Sequence, residues 1–137
     1  NDLGTAALKS LGLDDFFEFA KPPELVRRLM QWLGGRDGIY LDFFAGSGTT
    51  AQAVLEQNAE DGGSRRFILV QLPEPCPHDS VAAQNGYNTI FDICKERIRR
   101  VIARLRADEA HGIALDLGYR VFKLRGEAVE DQVRPRS

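Results

Sequence analysis

The 137-residue chain has a formal net charge of −2, with 43% hydrophobic and 28% charged residues. That composition is typical of a folded globular domain and excludes a chain disordered as a whole. No apolar run approaches the roughly 18 residues of a membrane span, and no basic-then-apolar start resembles a secretory signal, so a cytoplasmic protein with no membrane partner is expected. Affinity for a phosphate backbone comes from an excess of Lys and Arg, so any nucleic acid is expected to be gripped largely outside this segment.

Residues 1–20 read as a turn-rich lead-in with short apolar clusters. In "KPPELVRRLMQWLGG", Pro22 and Pro23 suit the entry to a helix, where a missing N–H costs little. Leu25, Val26, Leu29, Met30 and Leu33 fall on one face of that helix, and Gly34 and Gly35 supply the stop. "IYLDFF" is a short apolar run bounded by glycines, as in a buried parallel strand. The segment "TTAQAVLEQNAE" predicts a helix ending at "DGG", and "RFILVQL" a second strand. After the proline-rich loop "LPEPCPHDS", the stretch "GYNTIFDICKERIRRVIARLRADEA" carries the longest helical period. Its apolar stripe is Ile90, Ile93, Cys94, Ile98, Val101, Ile102 and Leu105, with Lys95, Arg99, Arg100 and Arg106 on a solvated basic face. A last strand is expected at "YRVFKL", and a flexible tail over 126–137.

Three strands make a narrow sheet for a doubly wound fold. The expectation is therefore a partial α/β Rossmann-like fold, with a three-layer αβα sheet completed by sequence outside this chain. The start at Asn1 and the pattern-free end "RPRS" fit the same expectation of a segment from a longer protein. Cys76 and Cys94 are far apart and lack CxxC spacing, which predicts two free thiols. Cys76 with His78 is too small a donor set for a metal, and His111 stands alone.

The chemistry concentrates at Gly46 and Gly48, which flank Ser47 where a strand gives way to a helix. Glycines allow close backbone approach there, and the helix start offers free N–H groups and a positive dipole end. A Walker A loop is excluded because no lysine follows either glycine at the required spacing. Gly46, Gly48 and Ala51 do satisfy the loose dinucleotide pattern, so an NAD-binding module remains an alternative. Asp42 argues against it, since a carboxylate beside the turn would repel a pyrophosphate. It suits a ligand with a cationic amine, such as the methionine end of S-adenosylmethionine, or else serves as a turn residue. Thr49 and Thr50 are candidates to donate to that ligand's carboxylate or to cap the helix.

The motif Asp42, Phe43, Phe44, Ala45, Gly46, Ser47, Gly48 resembles the D-x-F-x-G-x-G cofactor motif of amino-group DNA methyltransferases. "FEFAKPPELVRRL" resembles the segment preceding it in the circularly permuted β-type members, with Lys21 and Pro22 as its marked pair. "EDGGSRRFILVQLPE", "GYNTIFDICKERIRR" and "LGYRVFKL" are similar to modification (Mod) subunits of type III restriction-modification systems.

The resemblance implies that residues 21–125 are the S-adenosylmethionine-binding part of a site-specific adenine-N6 DNA methyltransferase. A cytosine-N4 enzyme and a noncatalytic small-molecule module stay open as alternatives. It implies a ribose-holding residue after the second strand, either Gln71 at the usual position or Glu74 three residues on. It also places one of Phe43 and Phe44 in the cofactor pocket, and Lys21 near the cofactor carboxylate, while the burial preference of Phe favours core packing for at least one of the two rings. The implied partners are double-stranded DNA, held by regions outside this chain, a restriction (Res) subunit and a second Mod subunit. The family's catalytic loop joins Asp, Asn or Ser to two prolines and an aromatic residue. No such tetrapeptide occurs in the 137 residues, and "KPPE" at Lys21–Glu24 has only the prolines. This segment is therefore expected to be inactive alone, with no catalytic residue of its own.

Overall fold

The computed structural model describes residues 2–17, 20–108 and 115–124. The expected tail and His111 lie outside these described residues. In chain order the elements are α1 (Asp2–Lys9), a 3-10 turn (Asp14–Phe16), α2 (Pro23–Leu33), β1 (Asp37–Asp42) and α3 (Thr49–Asp61). Then follow β2 (Ser64–Leu69), the short α4 (Val81–Gln84) and α5 (Ile90–Ala107).

The helices start and stop where their end chemistry dictates. Pro23 opens α2, and Gly34 and Gly62 cap α2 and α3 in the left-handed conformation. Thr89 and Asp92 form a reciprocal capping box at the start of α5, each side chain satisfying a backbone N–H of the other. The lead-in is not merely turns: it opens with α1, and Leu8, Leu11 and Leu13 are buried in the main core cluster.

β1 and β2 pair in parallel, with Asp37 opposite Ser64 through to Asp42 opposite Leu69, and α3 makes the crossover between them. Tyr40, Phe67 and Leu69 turn toward the helices, and the main core joins Ala51, Leu55 and Ala59 of α3 to Ile98, Val101, Ile102 and Leu105 of α5. Burying an Ile or Val side chain contributes roughly 1.5–3 kcal/mol, so the α5 stripe is the largest apolar contribution from one element. The C-terminal end of α3 is clasped to β2. Asn58 bonds both the N–H and the carbonyl of Arg65, and the Arg65 guanidinium grips the two Asp61 oxygens at 2.9 and 2.8 Å.

The expected third strand is not formed. Residues 115–124 run without ladder pairing, and the described sheet has two strands. The physical reason is competition from α5: Leu117 is buried in the α5 cluster, and Gly118 and Tyr119 line a cleft with Arg99, Ile102 and Arg106. That docking holds the segment on the helix rather than at a sheet edge, and Val121, Phe122 and Leu124 are exposed.

Among the described residues, none packs on the sheet's other face. Ile39, Leu41 and Ile68 alternate with the packed residues and are exposed, as is Val70 just beyond β2. The α2 face expected to be buried is only partly so: Met30 and Val26 pack on α3, while Leu25, Leu29 and Leu33 are exposed. No helix among the described residues is long and apolar enough to cross a membrane.

Candidate functional site

β1 ends at Asp42, and its carboxylate makes the turn. Oδ1 accepts from the Phe44 N–H at 3.0 Å and Oδ2 accepts from the Thr50 hydroxyl at 2.7 Å. A carboxylate offers about four lone-pair positions, so each oxygen keeps acceptor capacity beyond this bracing. Asp42 thus serves as the turn residue that the sequence allowed, with acceptor capacity to spare.

The same turn overturns one part of the expectation for the aromatic pair, the packing of a ring in the core. Phe43 and Phe44 lie past the end of β1 and are 64% and 90% exposed, so neither packs in the core. The Asp42 carboxylate bends the backbone before they can alternate across a strand.

Beyond them the loop is tightly held. Gly46 has φ +50° and its N–H donates to Gln71 Oε1 at 2.7 Å, while the Gly48 N–H donates to the Ala45 carbonyl. Gly48 adopts φ +86°, and an added Cβ would stand 3.0 Å from Cys94 Sγ, so its side toward α5 is filled. Cys94 is itself buried, and that burial pushes its thiol up to about 11. Ala45 and Ser47 are buried.

The two ribose candidates separate. Gln71 sits just past β2, and its amide braces the glycine turn through Oε1 and donates from Nε2 to the Leu72 carbonyl at 3.1 Å. Glu74 is exposed, its backbone carbonyl accepting from the Ile90 N–H at the start of α5. The threonines are also committed. Thr50 donates its hydroxyl proton to Asp42, and Thr49 donates its own to the Lys21 carbonyl at 3.2 Å. Gly48, not a threonine, is the N-cap of α3, and no side chain caps it. The first-turn N–H groups of α3 are thus the donors at this end, as at any helix start. The bond from Thr49 also brings the Lys21–Pro22 segment against the turn, with the Lys21 side chain exposed.

Sequence reading missed one residue of this region. Arg97 of α5 is 0% exposed, donating from Nη1 to Ser47 Oγ at 2.8 Å and Thr49 Oγ1 at 3.0 Å, and from Nε to Gln52 Oε1 at 2.7 Å. Burial lowers its pKa to about 10, which leaves a cation at neutral pH. A signal was present: Arg97 falls four residues after Ile93 and four before Val101, on the apolar stripe and not on the basic face. The basic face itself is largely paired, with Lys95 on Asp92 and both Arg99 and Arg100 on Glu96.

A glycine turn at a helix start, with a carboxylate closing the strand before it, can receive a small ligand bearing both a cationic amine and an anionic group. Comparison with known proteins finds relatives over most of the chain. The type III restriction-modification enzyme StyLTI Mod subunit of Salmonella typhimurium is 41% identical over 123 residues, which is 90% of this chain and 19% of that protein. The EcoP15I Mod subunit of Escherichia coli is 44% identical over 108 residues, 79% of this chain and 15% of that protein. The EcoPI Mod subunit of Escherichia phage P1 is 38% identical over 118 residues, 86% and 18%. The chain thus spans less than a fifth of the length of these relatives. Residues 5–74, which hold α2, the glycine turn and both strands, match the model of the N6/N4 DNA methylases, and the chain belongs to that DNA methylase family.

Proposed function

We propose that this chain is the S-adenosylmethionine-binding part of a type III Mod-like, adenine-N6 DNA methyltransferase. The observation that carries the reading is the turn at Asp42–Thr50, where a carboxylate with spare acceptor capacity stands beside a helix start with donor N–H groups. These residues fit the cofactor's chemistry. Asp42 would take the ammonium, and the α3 N-terminus with Lys21 the carboxylate, while Gly46, Ser47 and Gly48 keep the backbone close. Glu74 is the better ribose acceptor, because Gln71 already braces Gly46. Exposed Phe44 would lie against the adenine and Phe43 beside it.

When bound, S-adenosylmethionine supplies an electrophilic methyl group. This chain's residues bind and orient it. The catalytic tetrapeptide and the surface that grips DNA belong to the rest of the intact protein, which also adds strands and a second helix layer over the bare sheet face to make the three-layer fold. A Res subunit and a second Mod subunit are its partners, and the cytoplasm its place.

The test is methyl transfer from labelled S-adenosylmethionine to adenine in duplex DNA by the intact protein, with and without Asp42→Asn, beside direct titration of S-adenosylmethionine and NAD. Cofactor binding and transfer that fall together in Asp42→Asn are the expected result. Selective binding of NAD would overturn the reading.

A further inference from the structure

We infer that Arg97 is a positioning residue that locks the glycine turn and the Lys21–Pro22 segment into a single cofactor-receiving geometry, through a relay from Arg97 to Thr49 to the Lys21 carbonyl. Arg97 reaches 45 to 50 residues back along the chain to Ser47, Thr49 and Gln52 at once. One hydroxyl joins the two segments: Thr49 Oγ1 accepts from Arg97 Nη1 at 3.0 Å and donates its proton to the Lys21 carbonyl at 3.2 Å. A hydroxyl can accept and donate at once, so this one side chain ties the α5 guanidinium to the Lys21 backbone.

Stability alone does not account for this cation. Arg97 is fully buried, and its Nη2 has no hydrogen-bond partner among the described residues. An unsatisfied buried donor is costly, and a well-packed apolar residue in place of a buried charge is often neutral or stabilising. The neighbouring stripe positions Ile93, Ile98 and Val101 are filled by such residues. A planar guanidinium offers several donors in fixed directions, which a lysine cannot reproduce. That is what bracing a hydroxyl, a second hydroxyl and an amide together requires.

The inference rests on the cofactor reading above, so its test has one arm that needs no cofactor. In the intact protein, Arg97→Lys and Thr49→Val are made singly and together, with Val101→Ala as a control on the same buried stripe. Amide hydrogen exchange without cofactor is expected to rise at Lys21 and across residues 46–50 in both single variants, and to remain native-like there in Val101→Ala. S-adenosylmethionine affinity is expected to fall about tenfold or more in each single variant, and the double variant to be little worse than the weaker single, because both cut one relay. Additive losses, or an equal loss in Val101→Ala at matched stability, would overturn the inference. If Arg97→Lys does not fold, Thr49→Val carries the exchange test by itself, and unchanged protection at Lys21 would refute the relay. A wild-type protein that binds no S-adenosylmethionine would defeat the functional reading, while the exchange arm would still decide the relay.

Discussion

The two faces of the β1–β2 sheet differ sharply. One carries Tyr40, Phe67 and Leu69 against α3 and the main cluster, and the other presents Ile39, Leu41 and Ile68 to solvent. Both are equally apolar in sequence, so hydrophobicity alone does not distinguish a packed face from an open one. The difference lies in which helices the chain supplies. A two-stranded parallel sheet is marginal without cover, and here cover comes from one side. The candidate site sits at the C-terminal end of β1, where the packed side holds the turn in shape from behind through Gly48, Cys94 and Arg97.

The largest loss is expected from breaking the packed side. Leu8→Ala removes a fully buried side chain that ties α1 into the core, and a loss of about 2–5 kcal/mol is expected in urea unfolding. A result near zero would mean that α1 is not part of the folding unit. Gly48→Ala comes next. It places a Cβ at φ +86° and 3.0 Å from Cys94 Sγ, with an expected cost of about 1–3 kcal/mol and a matching loss of cofactor affinity. Retained affinity would separate the turn's shape from binding.

How much of this contrast was legible in the sequence depends on what each signal encodes. The start of α2 at Pro23 and the ends of α2 and α3 at Gly34 and Gly62 were readable, because caps and proline effects are local. The α5 stripe was readable because six of its seven named residues, Ile93 through Leu105, are indeed buried. The third strand was not, because Tyr119–Leu124 has strand composition while its fate was decided by Leu117 docking on α5, a tertiary event. Core packing of Phe43 or Phe44 failed for a similar reason: the strand was extended two residues past the point where the Asp42 carboxylate turns the chain. For the site, the motif named the residues that come together, but not the commitment of Gln71 to Gly46 or of Thr50 to Asp42. Hydrogen-bond direction between segments is not written in spacing.

A smaller effect sharpens the packed side by pH. The Arg65 hydrogen bonds at the end of α3 hold the Asp61 carboxyl at about 2, below its usual 3.8. A carboxylate lowered by folding stabilises the native state above the unfolded pKa and loses that contribution as pH falls through the folded one. Stability should therefore drop between about pH 4 and pH 2, by about 1–2 kcal/mol after allowing for partial exposure of Asp61. Asp61→Asn should remove that part of the acid limb. An unchanged limb would place the acid sensitivity elsewhere, with Glu96 next, held at about 2 by Arg99 and Arg100.

The smallest change expected in this chain is the most informative about the bare face. Ile68 is half exposed, opposite Leu41 in the ladder, and its replacement by Ser removes apolar surface that the described residues leave in water. In the 137-residue chain, Ile68→Ser should shift the unfolding free energy by no more than about 0.5 kcal/mol. In the intact protein the same substitution should cost about 2 kcal/mol or more if a second helix layer buries that side chain. The contrast between the two measurements thus reads whether a further layer covers this face. Equal small losses would show a face open in both settings, and equal large losses would show that this chain packs on itself or on a second copy through that face.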